Sequence, residues 1–331
     1  MQAWEIARFG FEGLRRVERA PLSPGPGQVK VALRAASLNY RDVLMARGHY
    51  NPRQALPLVP CSDGAGVVAA VGEGVERWQV GDRVCPIFAQ SWIDGPPDKA
   101  AQRSTLGGPL DGCLASEIVV EEAGLVAIPP HLSFQEAACL PCAGVTAWSA
   151  LEGVEAGDTV LVQGTGGVSL FALQLAKARG ARVFLTSSSD AKLERGRALG
   201  ADETLNYRDE PRWGSVAADW AGEGVDCVVE VGGAGTLDQS LRAVRMGGTV
   251  ALIGVLSGVE TSLAVTRILM AGIRVQGVFV GSRAAFEALN QAVAAASLRP
   301  VIDRVVSFDE AADTLRAMPE GRHVGKLVVR T

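Results

Sequence analysis

The residues best placed to do chemistry in this chain are glycines. Val160-Leu-Val-Gln-Gly164-Thr-Gly166-Gly167-Val168-Ser169 sets three of them between an apolar run and a helical pattern. In that context Gly164 permits a tight turn, and Gly166 lets the backbone approach a pyrophosphate. The helix that opens at Gly167 and Val168 offers unpaired N–H groups and a positive dipole end to the phosphates. Ser169 falls where the usual fingerprint carries a third glycine, and it is small enough for close helix packing. An ordinary strand-to-helix turn would use the same glycines without a ligand, so the elements around them decide between the two.

Those elements are strongly patterned. Apolar runs at Thr159–Val162, Arg182–Leu185, Glu203–Leu205, Val225–Val229 and Thr249–Ile253 alternate with helical stretches at 167–179, 190–199, 212–222 and 236–245. Buried-type strands alternating with helices predict a doubly wound parallel sheet, so the glycine turn reads as a dinucleotide site. Its choice of dinucleotide rests on the end of the second strand, where a carboxylate would hold the ribose 2′-OH of NAD. Here the sequence is Thr186-Ser187-Ser188-Ser189-Asp190-Ala-Lys192. Ser187 takes the place of the acid, and the hydroxyls of Ser187 and Ser188 with the Lys192 ammonium suit a 2′-phosphate. NADPH is therefore expected ahead of NADH, although Asp190 would oppose this if it pointed inward.

The first third of the chain is different. Val29, Val31 and Leu33 alternate with polar or small residues after Pro24-Gly-Pro-Gly27, Gly64–Gly74 reads as a bulged strand, and Arg83–Ile87 as a short one. Residues 89–112 read as a long irregular loop. Ser133-Phe-Gln-Glu136 is a capping box that opens a helix. A later apolar run, Ile273–Val280, precedes an Ala-rich helix near 283–296 and a closing strand, Lys326–Val329.

Composition bounds the rest. The 331 residues are 48% hydrophobic, and 32 Lys+Arg against 36 Asp+Glu leave a net charge of −4, which excludes wholesale disorder and gives no electrostatic case for nucleic acid. Two domains are expected at this length. No leader or membrane span is apparent, and six scattered cysteines fit reduced thiols, so a cytoplasmic protein without membrane partners is expected.

Taken together, the segments Asn39-Tyr40-Arg41-Asp42, Gly48-His49-Tyr50, Pro60-Cys-Ser-Asp-Gly64-Ala-Gly66, Gly81-Asp82-Arg83-Val84, Ala143-Gly144-Val145-Thr146-Ala147-Trp148, Gln163–Val168 and Leu199-Gly-Ala-Asp202 resemble the medium-chain dehydrogenase/reductase superfamily over essentially the whole chain. Its zinc-free, quinone oxidoreductase-like branch fits better than the zinc alcohol dehydrogenases. The resemblance implies a GroES-like, partly open β-barrel at residues 1–140 and 281–331. Between these segments it implies a Rossmann domain at 141–280, with the active site in the cleft.

The positions that match the catalytic zinc ligands read Asn39, Ser62 and Cys142, with Asp63 at an alternative, and 88–112 lacks the four cysteines of a structural zinc. Ligand count therefore argues against zinc. Tyr50 matches the family's active-site tyrosine and is expected to be the proton donor or oxyanion stabiliser; otherwise its ring packs on the barrel rim. Asn39 and Tyr40 are expected beside it. Cofactor contacts are expected from Asn39, Thr146, Tyr207 near a 2′-phosphate, Gly232, Gly254, Phe279 and Val280, with His323 and Lys326 as further candidates. The expected reaction is zinc-independent hydride transfer from NADPH to a quinone, enone or similar small electrophile. An alcohol dehydrogenase and a dinucleotide sensor with incidental turnover are the alternatives. A homodimer is expected through the edge strand in 273–280.

Overall fold

In the computed structural model, which describes all 331 residues, the chain divides into two compact units, Met1–Val145 with Gly281–Thr331 and Thr146–Val280. The first begins with a hairpin of β1 (Gln2–Ile6) and β2 (Leu14–Glu18), then β3 (Gln28–Leu38), β4 (Asp63–Val71), β5 (Arg83–Pro86), β6 (Glu117–Glu121) and β7 (Leu125–Ala127). The second unit follows with β8 (Thr159–Gln163), β9 (Arg182–Ser187), β10 (Glu203–Asn206), β11 (Val225–Glu230), β12 (Val244–Leu252) and β13 (Arg274–Gly277). The chain then returns to the first unit for the helix Arg283–Ala295, β14 (Ile302–Val306) and β15 (Lys326–Arg330).

β3 organises the first unit because it is long enough to pair three times. Its Gln28–Ala32 half pairs with β6 and its Ala35–Leu38 half with β15, while β4 runs antiparallel along the other side. The expected alternation holds at its start, where Val29, Val31 and Leu33 are buried. Register shifts between β3 and β4 lie opposite the glycine-punctuated run, where the missing side chains let the strands bend. The strand order β14-β15-β3-β4-β5-β7 makes a curved sheet around a core of Val31, Leu33, Met45, Leu114 and Leu327.

In the second unit the order is β10-β9-β8-β11-β12-β13, and every pair is parallel. β8 and β9 are nearly all buried because helices cover both faces of such a sheet. The order reverses between β8 and β11, which makes their carboxyl ends the switch point where such sheets take ligands.

Two expectations need correction. Residues 89–112 are not a plain irregular loop: they hold the helix Lys99–Arg103, capped by Asp98, and bridges from Ala89 to Thr105 and from Leu106 to Leu110. The capping box at Ser133 opens only a four-residue helix, Phe134–Ala137. A wider turn at Leu140–Gly144 then leads into a second helix, Val145–Ala150. The hairpin at residues 2–18 has little apolar alternation to announce it. It is tied instead by buried Glu5, which accepts from Arg15 at 2.8 Å and from Arg19 at 2.7 Å. No helix is long and apolar enough to cross a membrane, and all six cysteines are free thiols.

Candidate active site

The dinucleotide turn takes the form its glycines require. Gly164 has φ of 71°, a left-handed conformation that side chains disfavour, and Gly166 caps the helix Gly167–Ala178 from an extended conformation. A Cβ built on Gly166 would meet no atom within 4 Å, so the space over it is open to a ligand. The Ser169 hydroxyl donates to the Gln163 carbonyl at 2.6 Å, closing the turn on its own helix. The N–H groups of Gly167 and Val168 lie in the first helical turn, where no preceding carbonyl serves them. This arrangement fits a pyrophosphate.

At the end of β9, Ser187 is buried and Ser188 half-buried. Asn206 pairs with Ser187 across to β10, and the Tyr207 N–H donates to the Ser187 carbonyl at 3.0 Å, leaving the Tyr207 ring exposed beside it. Asp190, in the first turn of the helix Asp190–Ala198, accepts from Asn206 Nδ2 at 3.0 Å. Lys192 is half-buried in the same turn. The sheet therefore does bring Ser187, Ser188, Asp190 and Tyr207 to one corner, and it carries no acid at the strand end itself.

Gly232 and Gly254 sit on the loops after β11 and β12, and both need to be glycine. A Cβ at Gly232 would lie 2.2 Å from the Thr236 hydroxyl, and one at Gly254 would lie 2.1 Å from the Val231 carbonyl. Thr146 is buried at the start of the unit. At its end, Phe279 is half-buried and Val280 is buried with φ of 52°.

Sequence reasoning missed Glu230. This wholly buried carboxylate at the end of β11 accepts from Gln163 Nε2 at 2.7 Å, Thr236 Oγ1 at 2.6 Å, the Gly232 N–H at 2.8 Å, the Gly233 N–H at 2.9 Å and the Ser240 hydroxyl. The available signal was an acid closing the buried apolar run Cys227–Val229, one residue before two glycines.

In the first unit, strand register gathers residues from three strands around Asn39. Ser37 pairs with Asp63 and Leu38 with Leu327, which brings buried Asp63 and Lys326 to the end of β3. Lys326 Nζ donates to the Leu38 carbonyl at 2.8 Å and to Asn39 Oδ1 at 2.5 Å, and stands 3.8 Å from Asp63 Oδ2. Ser62 Oγ donates to Asp63 Oδ1 at 2.7 Å. Burial pushes the Asp63 carboxyl up, against the opposing pull of Lys326, Asn39 and Ser62. Asp42, which accepts from the Asn39 N–H at 2.7 Å, is raised by burial to about 6. Lys326 is a cofactor candidate in the sequence; the structure ties it to these partners within its own unit. His323 lies half-buried in the turn before β15.

These side chains fit zinc poorly. Asn39 offers an amide already accepting from Lys326 and Ser62 a hydroxyl already given to Asp63, so that Cys142 and Asp63 alone are of ligand type, and Asp63 faces Ser62 and Lys326. Zinc sites are built from thiolates, imidazoles and carboxylates.

Tyr40 is the first residue of the helix Tyr40–Ala46 and is half-buried. Tyr50 follows that helix, is 46% exposed, and has its ring 4.9 Å from the Arg41 guanidinium carbon. Phe88 lies at the same distance on Arg41. Arg41 also donates to the Leu106 carbonyl at 2.8 Å and to Thr105 Oγ1 at 3.1 Å, so it fastens the 89–112 segment beside Tyr50. The Tyr50 ring is thus packed on Arg41 on one side and open to solvent on the other.

A six-stranded parallel sheet with an open glycine turn at its switch point is the architecture of a dinucleotide-binding domain, and comparison with known proteins makes the chain an NAD(P)-dependent oxidoreductase. The model of the alcohol dehydrogenase GroES-like domain matches residues 25–130, and that of the zinc-binding dehydrogenases matches 167–295. A zinc-type alcohol dehydrogenase-like protein of Schizosaccharomyces pombe is 42% identical, covering 97% of this chain and 96% of its own. An acryloyl-coenzyme A reductase of Metallosphaera sedula is 30% identical over 93% of each chain. The crystal structure of an NAD-dependent alcohol dehydrogenase is 35% identical, covers all of both chains and superposes with a TM-score of 0.91. The chain belongs to the medium-chain dehydrogenase/reductase superfamily.

Proposed function

We propose that this protein is a zinc-independent, NADPH-dependent cytoplasmic reductase of activated alkenes or quinones. The observation that carries the reading is the donor set around Asn39: an amide and a hydroxyl stand at two of the three positions where metal ligands would be needed, and the nearby Asp63 carboxylate is engaged by Ser62 and Lys326. Without a Lewis acid, alcohol oxidation lacks a means of stabilising the alkoxide, whereas reducing an electrophilic double bond needs only hydrogen-bond donors and a proton. The acryloyl-coenzyme A reductase relative supports the alkene arm of this reading.

The dinucleotide supplies a hydride when bound. Gly164, Gly166, Gly167 and Val168 would hold its pyrophosphate, and Ser187, Ser188, Lys192 and Tyr207 the 2′-phosphate. Gly232, Gly254, Thr146, Phe279 and Val280 would border the remainder. Tyr50 gives its phenolic proton to the substrate anion left by hydride addition and recovers it from water, while Asn39 and Tyr40 line the substrate side. The balance is one hydride and one proton per double bond reduced, with NADP⁺ released.

A second reading, alcohol dehydrogenase, is favoured by the names of two of the relatives described above. Initial rates of NADPH and NADH oxidation by metal-stripped protein, with a quinone and with an enone, separate the two. NADPH-selective turnover that falls at least about tenfold in Tyr50→Phe with unchanged NADPH affinity supports the reductase. Turnover that appears only on adding zinc overturns it.

A further inference from the structure

Two strand ends meet at the switch point of the parallel sheet, and their side chains bond directly. Gln163 closes β8 immediately before Gly164, and Glu230 closes β11 two residues before Gly232. Gln163 Nε2 donates to Glu230 Oε2 at 2.7 Å and to the Ser240 oxygen at 2.6 Å, and the Gln163 carbonyl takes the Ser169 hydroxyl. The other carboxylate oxygen, Oε1, takes both glycine N–H groups and Thr236. The Glu230 carbonyl in turn takes the N–H of Ile253 at 2.9 Å, which starts the loop after β12, and that loop returns through the Ser257 N–H to the Gly232 carbonyl at 2.7 Å. Three loops at the ligand end of the sheet therefore hang on one residue.

We propose that Glu230 and Gln163 are positioning residues for the dinucleotide: their bond fixes the spacing between the Gly164–Gly167 turn and the Gly232–Gly233 turn, and so sets cofactor affinity. This rests on the assignment of the glycine turn as the dinucleotide site and is independent of the electrophile or the metal question.

The pair has a donor–acceptor polarity that makes the idea testable. A carboxylate only accepts, so Gln163 must present its Nε2 to Glu230, and its Oε1 then faces the Gly232 N–H at 3.4 Å. In Glu230→Gln the amide N–H group at the Oε2 position confronts Gln163 Nε2. If Gln163 flips to relieve this, its own N–H group confronts the Gly232 N–H. Neither arrangement satisfies all donors. Exchanging the two groups, E230Q with Q163E, restores every contact: the new carboxylate at position 163 accepts from the new amide at position 230, from the Ser240 hydroxyl and from the Gly232 N–H.

The experiment is isothermal titration of NADPH and NADH into wild-type protein, E230Q, Q163E and the E230Q/Q163E double variant, with unfolding midpoints measured in parallel. Each single variant is expected to raise Kd for the preferred dinucleotide at least about tenfold, and the double variant to return it to within about threefold of wild type. Lower midpoints with unchanged Kd in the singles would show a purely structural role and overturn the proposal. So would a folded double variant that binds no better than the singles. Where a single variant does not fold, the double decides: near-native affinity supports the proposal, and weak binding or failure to fold overturns it. Activity with any electrophile plays no part in this readout, so it stands or falls apart from the proposed reaction.

Discussion

Lys326 and Asp63 show how much rests on single residues here. Both are almost wholly buried, 3% and 0% exposed, and they stand 3.8 Å apart as opposite charges. Removing one member of such a pair strands a charge in a medium that solvates it badly, which costs far more than the pair itself contributes. Lys326→Met is therefore expected to cost about 3 kcal/mol in urea unfolding. The D63N/K326M pair should lose less than the two single losses together, because a neutral amide at position 63 needs no counter-charge. Additive losses would show that the two residues act separately. Sequence alone makes Lys326 a candidate for the cofactor phosphates, since a lysine near a glycine and a chain end carries no mark of its partner. Asn39 is legible as a site residue, but the ammonium that orients its amide is not.

Between elements, side chains at strand starts act as ties. Asp226, at the beginning of β11, accepts from the Thr159 N–H and hydroxyl of β8, each at 2.8 Å, and from Arg245 of β12 at 2.5 Å. Burial alone would raise its carboxyl, but these donors outweigh it and hold the group below its ordinary 3.8. A depressed carboxyl stabilises the fold above its unfolded value and loses that contribution as pH falls through its folded value. Wild-type protein should therefore lose stability below about pH 4 more steeply than Asp226→Asn. At pH 7 the variant should be less stable by about 1–2 kcal/mol. Unfolding midpoints from about pH 2 to 7, which take in the titration below the ordinary carboxylate value, check both points; parallel curves would remove the tie. At this scale the sequence is most readable in the second unit, where strand periodicity and helix spacing agree over successive βα units. It is least readable at residues 2–18 and 89–112. There the chain is ordered by ion pairs and backbone bonds to other segments, such as Arg41 to Leu106, rather than by its own pattern.

For the molecule as a whole, ligand and partner effects are the natural tests. A dinucleotide that binds only the folded protein stabilises it by about 2.7 kcal/mol at a hundredfold excess over Kd. NADPH should raise the unfolding midpoint more than NADH at equal concentration, and the reverse order would reassign the corner formed by Ser187, Ser188 and Tyr207. β13 ends the parallel sheet with an open edge, and Val275 on it and Leu269 and Met270 on the neighbouring helix are exposed. An open strand edge beside exposed apolar side chains suits a partner strand. Light scattering at micromolar concentration is expected to give about twice the 34.6 kDa of one chain. A monomer would leave that edge without a role.

The sequence by itself determined the architecture of the second unit and the glycine turn, because each depends on local spacing: strand period, helix period and the φ angles that only glycine accepts easily; the superfamily was legible through the resemblance of whole motifs such as Gly81–Val84 and Gln163–Val168. Residue identity also gave Asn39, Ser62 and Cys142 at the positions that the resemblance matches to zinc ligands. Only the tertiary structure decided what the buried charges do. Glu230 meets Gln163, and Lys326 meets Asn39 and Asp63, through sheet register between strands far apart in the chain. Side-chain polarity is written in the sequence, but the partner that satisfies it is chosen by strand order, which no local pattern contains.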